Sequence, residues 1–222
     1  MNDPLKIGVL ASGTGSNFAA IAAAIDAGRI NARASILICN RPGAGVLELA
    51  SSHAVPAQLI DHRGFDSREA FDAAVADALE AAGVELVVMA GFDRLITSAL
   101  LQRFPMRVLN IHPALLPAFK GTNAQRQAAD YGVRVAGATV HLVDEHVDHG
   151  PIVVQAAVAI GQQDSGEEVQ KRIIEVEHRI YPFAISLFAD RRVCVDGRRV
   201  LIDGCENPPR ANLINPPLPE GF

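Results

Sequence analysis

Residues 6–17 read Lys6-Ile7-Gly8-Val9-Leu10-Ala11-Ser12-Gly13-Thr14-Gly15-Ser16-Asn17 and place a short apolar run directly before a glycine-rich loop. An apolar run that stops at glycines is typical of a buried parallel strand. The segment that follows, residues 17–27, is rich in alanine and carries its apolar side chains at helical spacing. Strand, glycine loop and helix in this order predict the first unit of an α/β fold.

Strands and helices alternate through the rest of the first half. Further strands are predicted at residues 34–39, 57–60, 85–90 and 107–111, and helices at residues 46–52, 68–82 and 97–103. Ser67 is the predicted N-cap of the helix at 68–82, and Gly83 is predicted to end it. This alternation favours a mostly parallel, twisted sheet with right-handed crossovers and helices on both faces.

The second half has a different pattern. Residues 136–143 and 152–160 predict longer strands joined by an acidic, histidine-rich loop, which favours antiparallel strands in this half. Ser165 and Glu168 form a predicted capping box that opens a helix toward His178, and Asp196-Gly197 predicts a hairpin. We therefore expect one Rossmann-like α/β domain over residues 1–205. Residues 206–222 are expected to form a Pro-rich C-terminal tail without regular structure.

Composition excludes several classes of protein. The chain has 222 residues, 49% of them hydrophobic, which is enough for a buried core and argues against disorder. Twenty Lys and Arg against 25 Asp and Glu give a net charge of -5, which argues against a sequence-independent nucleic-acid binder. Three cysteines without a CxxC motif do not form a disulfide framework and fit a reducing, cytoplasmic location.

A membrane span is also a poor interpretation. Residues 7–25 carry no charge, but six consecutive small or polar residues, 12–17, interrupt them. The few residues before this stretch include one Lys and one Asp and do not resemble a signal peptide. We therefore expect neither a membrane nor a nucleic acid as a partner.

The glycine loop has the features of an anion site. Backbone N–H groups at a helix N-terminus lack helical partners and lie at the positive end of the dipole. A dinucleotide fingerprint fails in detail, because Phe18 stands where a third glycine is needed and Asn40 ends the second strand in place of an acid. A monophosphate is therefore the favoured ligand, and a tight turn without a ligand remains the alternative.

Asn110 and His112 lie two residues apart at the end of a predicted strand, so both side chains share one face. In an open α/β sheet, ligands bind outside the carboxyl ends of the strands. An amide beside an imidazole can hold a developing oxyanion and move a proton. The alternative is that His112 is a hydrogen-bonded structural residue.

The acidic loop allows three interpretations. It contains His141, Asp144, Glu145, His146, Asp148 and His149. Two histidines and a carboxylate could bind a metal, although no metal motif is present, or the loop could simply be solvated. In the third interpretation, Asp148 orients His112 and favours its charged form.

Taken together, five motifs resemble the phosphoribosylglycinamide formyltransferases, a folate-dependent family of purine biosynthesis. They are residues 12–17, Phe65-Asp66-Ser67-Arg68-Glu69, Ala90-Gly91-Phe92, Asn110-Ile111-His112-Pro113 with residues 114–117, and Asp148-His149-Gly150-Pro151. The resemblance runs from about residue 6 to about residue 190, and it implies a single formyltransferase domain with the Rossmann-like fold of the family.

The resemblance also implies site residues. Asn110, His112 and Asp148 match the catalytic trio. Ribonucleotide contacts match Gly15, Ser16, Asn17 and Glu177. Folate contacts match Arg68, Asp93, Arg94, Leu95, Ile96 and Asn110, together with the loop Asp144, Glu145, His146, Val147 and Asp148. Asp93 departs from the family pattern, which usually has Met there, so one wall of the folate pocket is expected to be more polar.

The implied reaction transfers the formyl group of 10-formyltetrahydrofolate, a co-substrate, to the amine of glycinamide ribonucleotide on the route to IMP. The implied partners are these two small molecules, with no metal, and the protein is expected to be a monomer or homodimer. Two alternatives stay open. One is a folate-dependent formyltransferase or hydrolase with another acceptor, and the other is a nucleotide-binding module that has lost the chemistry.

Overall fold

The structure is a computed structural model that describes residues 3–205 and residue 213. Its main sheet contains β1 (Leu5–Ala11), β2 (Ala32–Cys39), β3 (Ala57–Leu59), β4 (Leu86–Met89), β5 (Val108–His112), β6 (Val135–Leu142) and β7 (Ile152–Ala159). The strand order is β3-β2-β1-β4-β5-β6-β7. Strands β1 to β5 pair in parallel, and β6 and β7 pair antiparallel to their neighbours. The predicted mostly parallel sheet with antiparallel strands in the C-terminal half is confirmed.

Six α-helices, a short 3₁₀-helix (His62–Gly64) and a small hairpin are the other regular elements of the described residues. The helices are α1 (Ser16–Asp26), α2 (Gly45–Ser52), α3 (Arg68–Ala81), α4 (Ser98–Leu101), α5 (Ala124–Tyr131) and α6 (Gly166–Ala189), and the hairpin joins β8 (Val193–Asp196) to β9 (Arg199–Ile202). Ser67 caps α3 by accepting the N–H of Ala70 at 3.0 Å. The predicted capping box opens α6, because Ser165 and Glu168 bond reciprocally. Both local predictions are confirmed.

Two helices differ from the sequence patterns. Helix α5 has no counterpart among the predicted elements, because only Ala124 and Ala128 of its eight residues are buried and no apolar stripe marks it. Helix α6 continues past His178 to Ala189 and runs through Pro182. A proline inside a helix costs about 3 kcal/mol, and burial of Tyr181, Ile185 and other residues of α6 against the sheet outweighs that cost.

The core lies on both faces of the sheet. On one face, Ile7 and Val9 of β1 pack in a cluster that includes residues of α1 and α6. On the other face, Leu10 packs in a cluster that includes Phe71 and Val75 of α3. Successive residues of a strand point to opposite faces, so a strand covered on both sides is apolar throughout. The predicted helices on both faces are confirmed.

The topology creates a crevice at one edge of the sheet. The chain proceeds outward from β1 to β3 and then returns to the other side of β1 with β4 and β5. Ligands of open α/β sheets bind at such a switch point, outside the carboxyl ends of the strands. The residues that follow β1, β4 and β5 all lie at this edge.

Two further findings concern the described residues. None of the helices between residues 3 and 205 combines the length and the apolar composition that a membrane crossing requires. Cys39 is buried, whereas Cys194 and Cys205 are exposed, and all three are free thiols. Apart from residue 213, the predicted tail at 206–222 lies outside the described residues.

Candidate active site

A cavity of about 600 Å³ opens outside the carboxyl ends of β4 and β5. Asn110 and His112, at the end of β5, line it together with Arg68 at the start of α3. Two loops also line it, residues 91–97 and residues 143–148. All the residues predicted to contact folate therefore line one cavity.

His112 is almost fully buried, with 4% of its surface exposed. Its Nδ1 lies 3.3 Å from Oδ2 of Asp148, and its Nε2 lies 2.8 Å from the carbonyl oxygen of Phe119. Both ring nitrogens thus face oxygen acceptors. This arrangement suits the imidazolium form, in which both nitrogens carry a hydrogen.

Asp148 reaches His112 from a strained position in the acidic loop. Its backbone has φ +47°, in the left-handed region that non-glycine residues rarely adopt. Oδ2 also accepts the N–H of Gly121 at 2.8 Å, and Oδ1 lies 3.7 Å from Nε2 of His141. The structure therefore brings Asp148 and His112 together, as the third interpretation of the acidic loop requires.

His141 positions the amide of Asn110. Burial lowers the pKa of His141, so its ring is neutral near pH 7. Nδ1 lies 2.8 Å from the carbonyl oxygen of Leu142 and donates to it, which leaves Nε2 as an acceptor. Asn110 Nδ2 lies 3.3 Å from that nitrogen and can donate to it. Sequence patterns did not indicate the contact between His141 and Asn110. It depends on the pairing of β5 with β6, in which the two residues lie opposite each other.

The glycine loop places a bare helix N-terminus at the same edge of the sheet. Gly15, the N-cap residue of α1, has φ +86°, and a Cβ there would lie 2.6 Å from Val46 Cγ2. No side chain caps the helix, so its first backbone N–H groups are available to a ligand. Residues 15–17 lie outside the lining of the cavity described above.

Glu177 of α6 meets this loop. Asn17 Nδ2 donates to Glu177 Oε2 at 3.0 Å, and Glu177 is 6% exposed. Burial raises the pKa of Glu177, and the bond from Asn17 offsets only part of that rise. Asn17 Oδ1 is buried and has no hydrogen-bond partner within the described part of the chain. The structure thus brings together the residues predicted to bind the ribonucleotide. The Oδ1 atom of Asn17 is the acceptor that has no partner among the described residues.

Asp93 ties the loop at 91–97 to the ends of β1 and β2. Its Oδ1 lies 2.8 Å from Ser12 Oγ and 2.9 Å from Asn40 Nδ2, and its Oδ2 forms an ion pair with Arg41. Burial alone would raise the pKa of Asp93, but bonds from Asn40, Ser12 and Arg41 outweigh it and lower that pKa. Asp93, which is expected to make the folate pocket more polar, therefore also bonds to three side chains of the protein itself.

Asp72 holds the other end of the same loop. This buried carboxylate of α3 accepts the N–H of Thr97 at 2.6 Å, and burial raises its pKa. Sequence patterns did not indicate Asp72 or Arg41, or the contact of Ser12 with Asp93, because the partners are far apart along the chain.

The outer part of the acidic loop gathers Asp144, His146 and His149, whose possible ligand atoms lie within 4.8 Å of one another. Asp144 Oδ2 lies 2.7 Å from His149 Nδ1, and the Arg198 guanidinium lies 3.2 Å from His149 Nε2. A guanidinium cation at this distance opposes a metal cation by charge repulsion. The structure therefore gathers the three residues of the metal interpretation and places a cation beside one of them.

Known proteins resemble this chain in sequence and in fold. The family described as "Formyl transferase" matches residues 5–185. The chain is 42% identical to the phosphoribosylglycinamide formyltransferase of Bacillus subtilis over 82% of this chain and 93% of that protein. It is 40% identical to the trifunctional purine biosynthetic protein adenosine-3 of Gallus gallus over 86% of this chain but only 19% of that protein. The solved structure of glycinamide ribonucleotide transformylase 1 from Symbiobacterium toebii aligns with TM-score 0.89 and 50% identity, covering 91% of this chain and 95% of that chain.

Proposed function

The chain belongs to the formyl transferase family, and from this premise we propose that it formylates the amine of glycinamide ribonucleotide, a step of IMP synthesis. The proposed donor is 10-formyltetrahydrofolate. The observation that carries the proposal is the contact of 3.3 Å between Asp148 and His112, with Asn110 on the same strand, at the floor of a cavity. The names of the related proteins support the choice of acceptor.

In the proposed mechanism, the amine attacks the formyl carbon directly. A C–N bond forms, and the formyl oxygen becomes an oxyanion that Asn110 and protonated His112 stabilise by donating hydrogen bonds. Loss of one such donor typically raises the barrier by about 3 kcal/mol. The C–N bond to the folate then breaks, a proton moves from the amine to the leaving nitrogen, and N-formyl ribonucleotide and tetrahydrofolate result.

His112 has one N–H that can reach the reacting oxygen. Nδ1 faces Asp148, and the Nε2–H donates to the carbonyl of Phe119. The formyl oxygen must therefore replace the Phe119 carbonyl as the acceptor of this hydrogen bond. Because the oxyanion is charged, it is a stronger acceptor than a neutral carbonyl, and the exchange favours the transition state.

Asp148 keeps His112 charged and oriented. Its side chain is 11% exposed, so the interaction with the imidazolium is only weakly screened by solvent. It also helps, directly or through a water molecule, to move the proton from the attacking amine to the leaving nitrogen.

Two neighbouring sites would hold the substrates. The folate is proposed to bind in the cavity, where Leu95 and Val147 are exposed apolar side chains. The ribonucleotide phosphate is proposed to bind the N–H groups after Gly15, with Glu177 contacting the same substrate. Holding two reactants in register can supply roughly 7–11 kcal/mol of the barrier reduction.

The proposal also covers the location of the protein, its metal content, its partners and its oligomeric state. We propose a cytoplasmic enzyme that uses no metal, has small-molecule substrates and acts as a monomer or homodimer. A formyl donor hydrolase, or a transferase with another acceptor, is the alternative within the same chemistry.

The test is absorbance-monitored turnover of 10-formyltetrahydrofolate by the purified chain, with and without glycinamide ribonucleotide and with EDTA present. We expect turnover that requires the ribonucleotide and is unaffected by EDTA. Turnover without the ribonucleotide would indicate a hydrolase. Binding of both ligands without turnover would favour the non-catalytic module and contradict the proposed roles of His112 and Asp148.

A further inference from the structure

Arg198 lies in the turn of the hairpin β8–β9 and contacts the acidic loop. Its Nη2 donates to the carbonyl oxygen of His149 at 2.7 Å. Its Nη1 lies 3.2 Å from Nε2 and 3.4 Å from Nδ1 of the same residue. One guanidinium nitrogen thus contacts both ring nitrogens of His149 while the other bonds to its backbone. The planar guanidinium of arginine can make several such contacts at once.

His149 connects Arg198 to the rest of the acidic loop. Its Nδ1 bonds to Asp144 Oδ2 at 2.7 Å, while Asp144 Oδ1 accepts the N–H of His146 at 2.9 Å. The loop at 144–149 is thus closed on itself by Asp144, and Arg198 holds it from outside. The Arg198 cation and the Asp144 anion both contact the His149 ring.

The contact acts next to Asp148. Asp148 has φ +47°, a left-handed conformation that a non-glycine residue keeps only when its surroundings enforce it. Gly150 lies two residues after Asp148. A Cβ at Gly150 would lie 1.9 Å from the carbonyl oxygen of Leu142, so the two backbone segments are in close contact there. Arg198 fixes His149 between these two constrained residues.

We propose that Arg198 is a positioning residue that holds the loop 144–149, and with it the carboxylate of Asp148, through its contacts with His149. This inference rests on the proposed function, because that loop is where folate is proposed to bind. Arg198 itself does not touch the reacting atoms. The hairpin β8–β9 thus serves the site from outside the main sheet.

The experiment compares three single variants with the wild-type chain: Arg198→Ala, Arg198→Lys and Arg199→Ala. Arg199 is the neighbouring exposed residue of β9, so its replacement removes the same charge from the same hairpin without touching the loop. Hydrogen exchange of the peptide at 144–150 reports the loop directly. Steady-state kinetics report KM for the formyl donor, KM for the ribonucleotide and kcat.

We expect Arg198→Ala to speed exchange in the loop and to raise KM for the donor about 3- to 10-fold, the range expected for the net loss of one typical hydrogen bond. A fall in kcat of similar size is expected, because Asp148 becomes less well placed. KM for the ribonucleotide should stay within about twofold of wild type, since Arg198 does not contact the glycine loop. Arg198→Lys should recover part of the loss, because lysine keeps a donor but not the planar fork.

Three results would overturn the inference. One is unchanged loop exchange in Arg198→Ala. The second is a lowered unfolding midpoint with unchanged donor KM, and the third is an equal effect of Arg198→Ala and Arg199→Ala. Either of the last two would indicate a general structural role. If the wild-type chain does not turn over the formyl donor, the proposed function fails, and the exchange experiment then decides the contact on its own.

Discussion

At the residue scale, the two carboxylate oxygens of Asp148 have different neighbours. Oδ2 faces His112 and the N–H of Gly121, and Oδ1 faces His141. Asn at position 148 would keep the shape and the bond from Gly121 but remove the charge beside His112. We expect Asp148→Asn to lower kcat about 10²- to 10³-fold while both substrates still bind. Turnover and ligand binding are measured separately.

Asp130→Asn is the matched control, because Asp130 is an exposed carboxylate of α5 whose partner is Arg126 on the same helix. It should leave kcat unchanged. Asp148→Asn with turnover within threefold of wild type would contradict the role proposed for this carboxylate.

Glu177 is a second residue-scale test, on stability and pH. Burial raises its pKa above the ordinary 4.5 in the folded chain. Between pH 4.5 and that raised value, the folded state holds a proton that the unfolded state has lost, so stability falls as pH rises through this window. Glu177→Gln removes the charge, and we expect it to unfold at a higher urea concentration than wild type at pH 8. The gap should shrink as the pH approaches 5.

Glu175→Gln provides the comparison for this experiment, because Glu175 is exposed on the same helix, two residues away. Its urea midpoint should track that of wild type at both pH values. If Glu177→Gln were less stable than wild type at pH 8, the burial of an ionised Glu177 would not be the dominant effect. Ribonucleotide KM should rise in Glu177→Gln, since the group is proposed to contact that substrate.

The residue scale also shows what patterns along a chain can and cannot reveal. Asn110 and His112 were predictable as neighbours because they are two residues apart on one strand. The partnership of His112 with Asp148 spans 36 positions and was only one of three hypotheses. It depends on the left-handed turn at Asp148, which no composition rule indicates.

At the scale of elements, Tyr181 joins α6 to the middle of the sheet. Its hydroxyl lies 2.9 Å from the carbonyl oxygen of Met89 and 3.0 Å from that of Leu109, and its ring is fully buried. We expect Tyr181→Phe to lower the free energy of unfolding by about 1–2 kcal/mol, because two buried carbonyls lose a donor. Urea unfolding at pH 7 measures the change.

Tyr131→Phe is the control at this scale, since Tyr131 is 80% exposed at the end of α5. It should change the free energy of unfolding by less than about 0.5 kcal/mol. An equal loss in the two variants would mean that the Tyr181 hydroxyl does not hold the helix against the sheet.

Element ends were predictable where a local signal marks them, as at Ser67 and Ser165. These caps depend on side chains and backbone groups within three residues. Contacts between elements depend instead on how the strands are ordered in the sheet. Asp93 meets Asn40 because β2 and β4 flank β1 in the sheet, and strand order is a property of the whole chain.

At the scale of the whole molecule, every helix and strand of the described residues lies between Leu5 and Ile202. The same interval contains every proposed site residue and Arg198. We therefore predict that a chain ending at residue 205 keeps kcat and both KM values within about twofold of the 222-residue chain, because it retains all these residues. The two chains are purified in parallel, and their kinetics and unfolding midpoints are compared.

The corresponding control ends the chain at residue 190 and so removes the hairpin with Arg198. It should lose donor affinity even if it remains folded. A loss of activity in the chain that ends at residue 205 would mean that residues 206–222 supply a needed contact. That result would contradict the predicted domain boundary.

The close packing at Gly150 has a consequence for how this family can vary. Rotation about a side-chain bond cannot move a Cβ, so any replacement at Gly150 would push the Leu142 carbonyl or displace Asp148. Selection for turnover would therefore keep glycine at position 150, while the exposed positions 145–147 remain open to change. New donor preferences would have to evolve by exchanging side chains within the loop, because the close packing at Gly150 fixes the backbone two residues after Asp148.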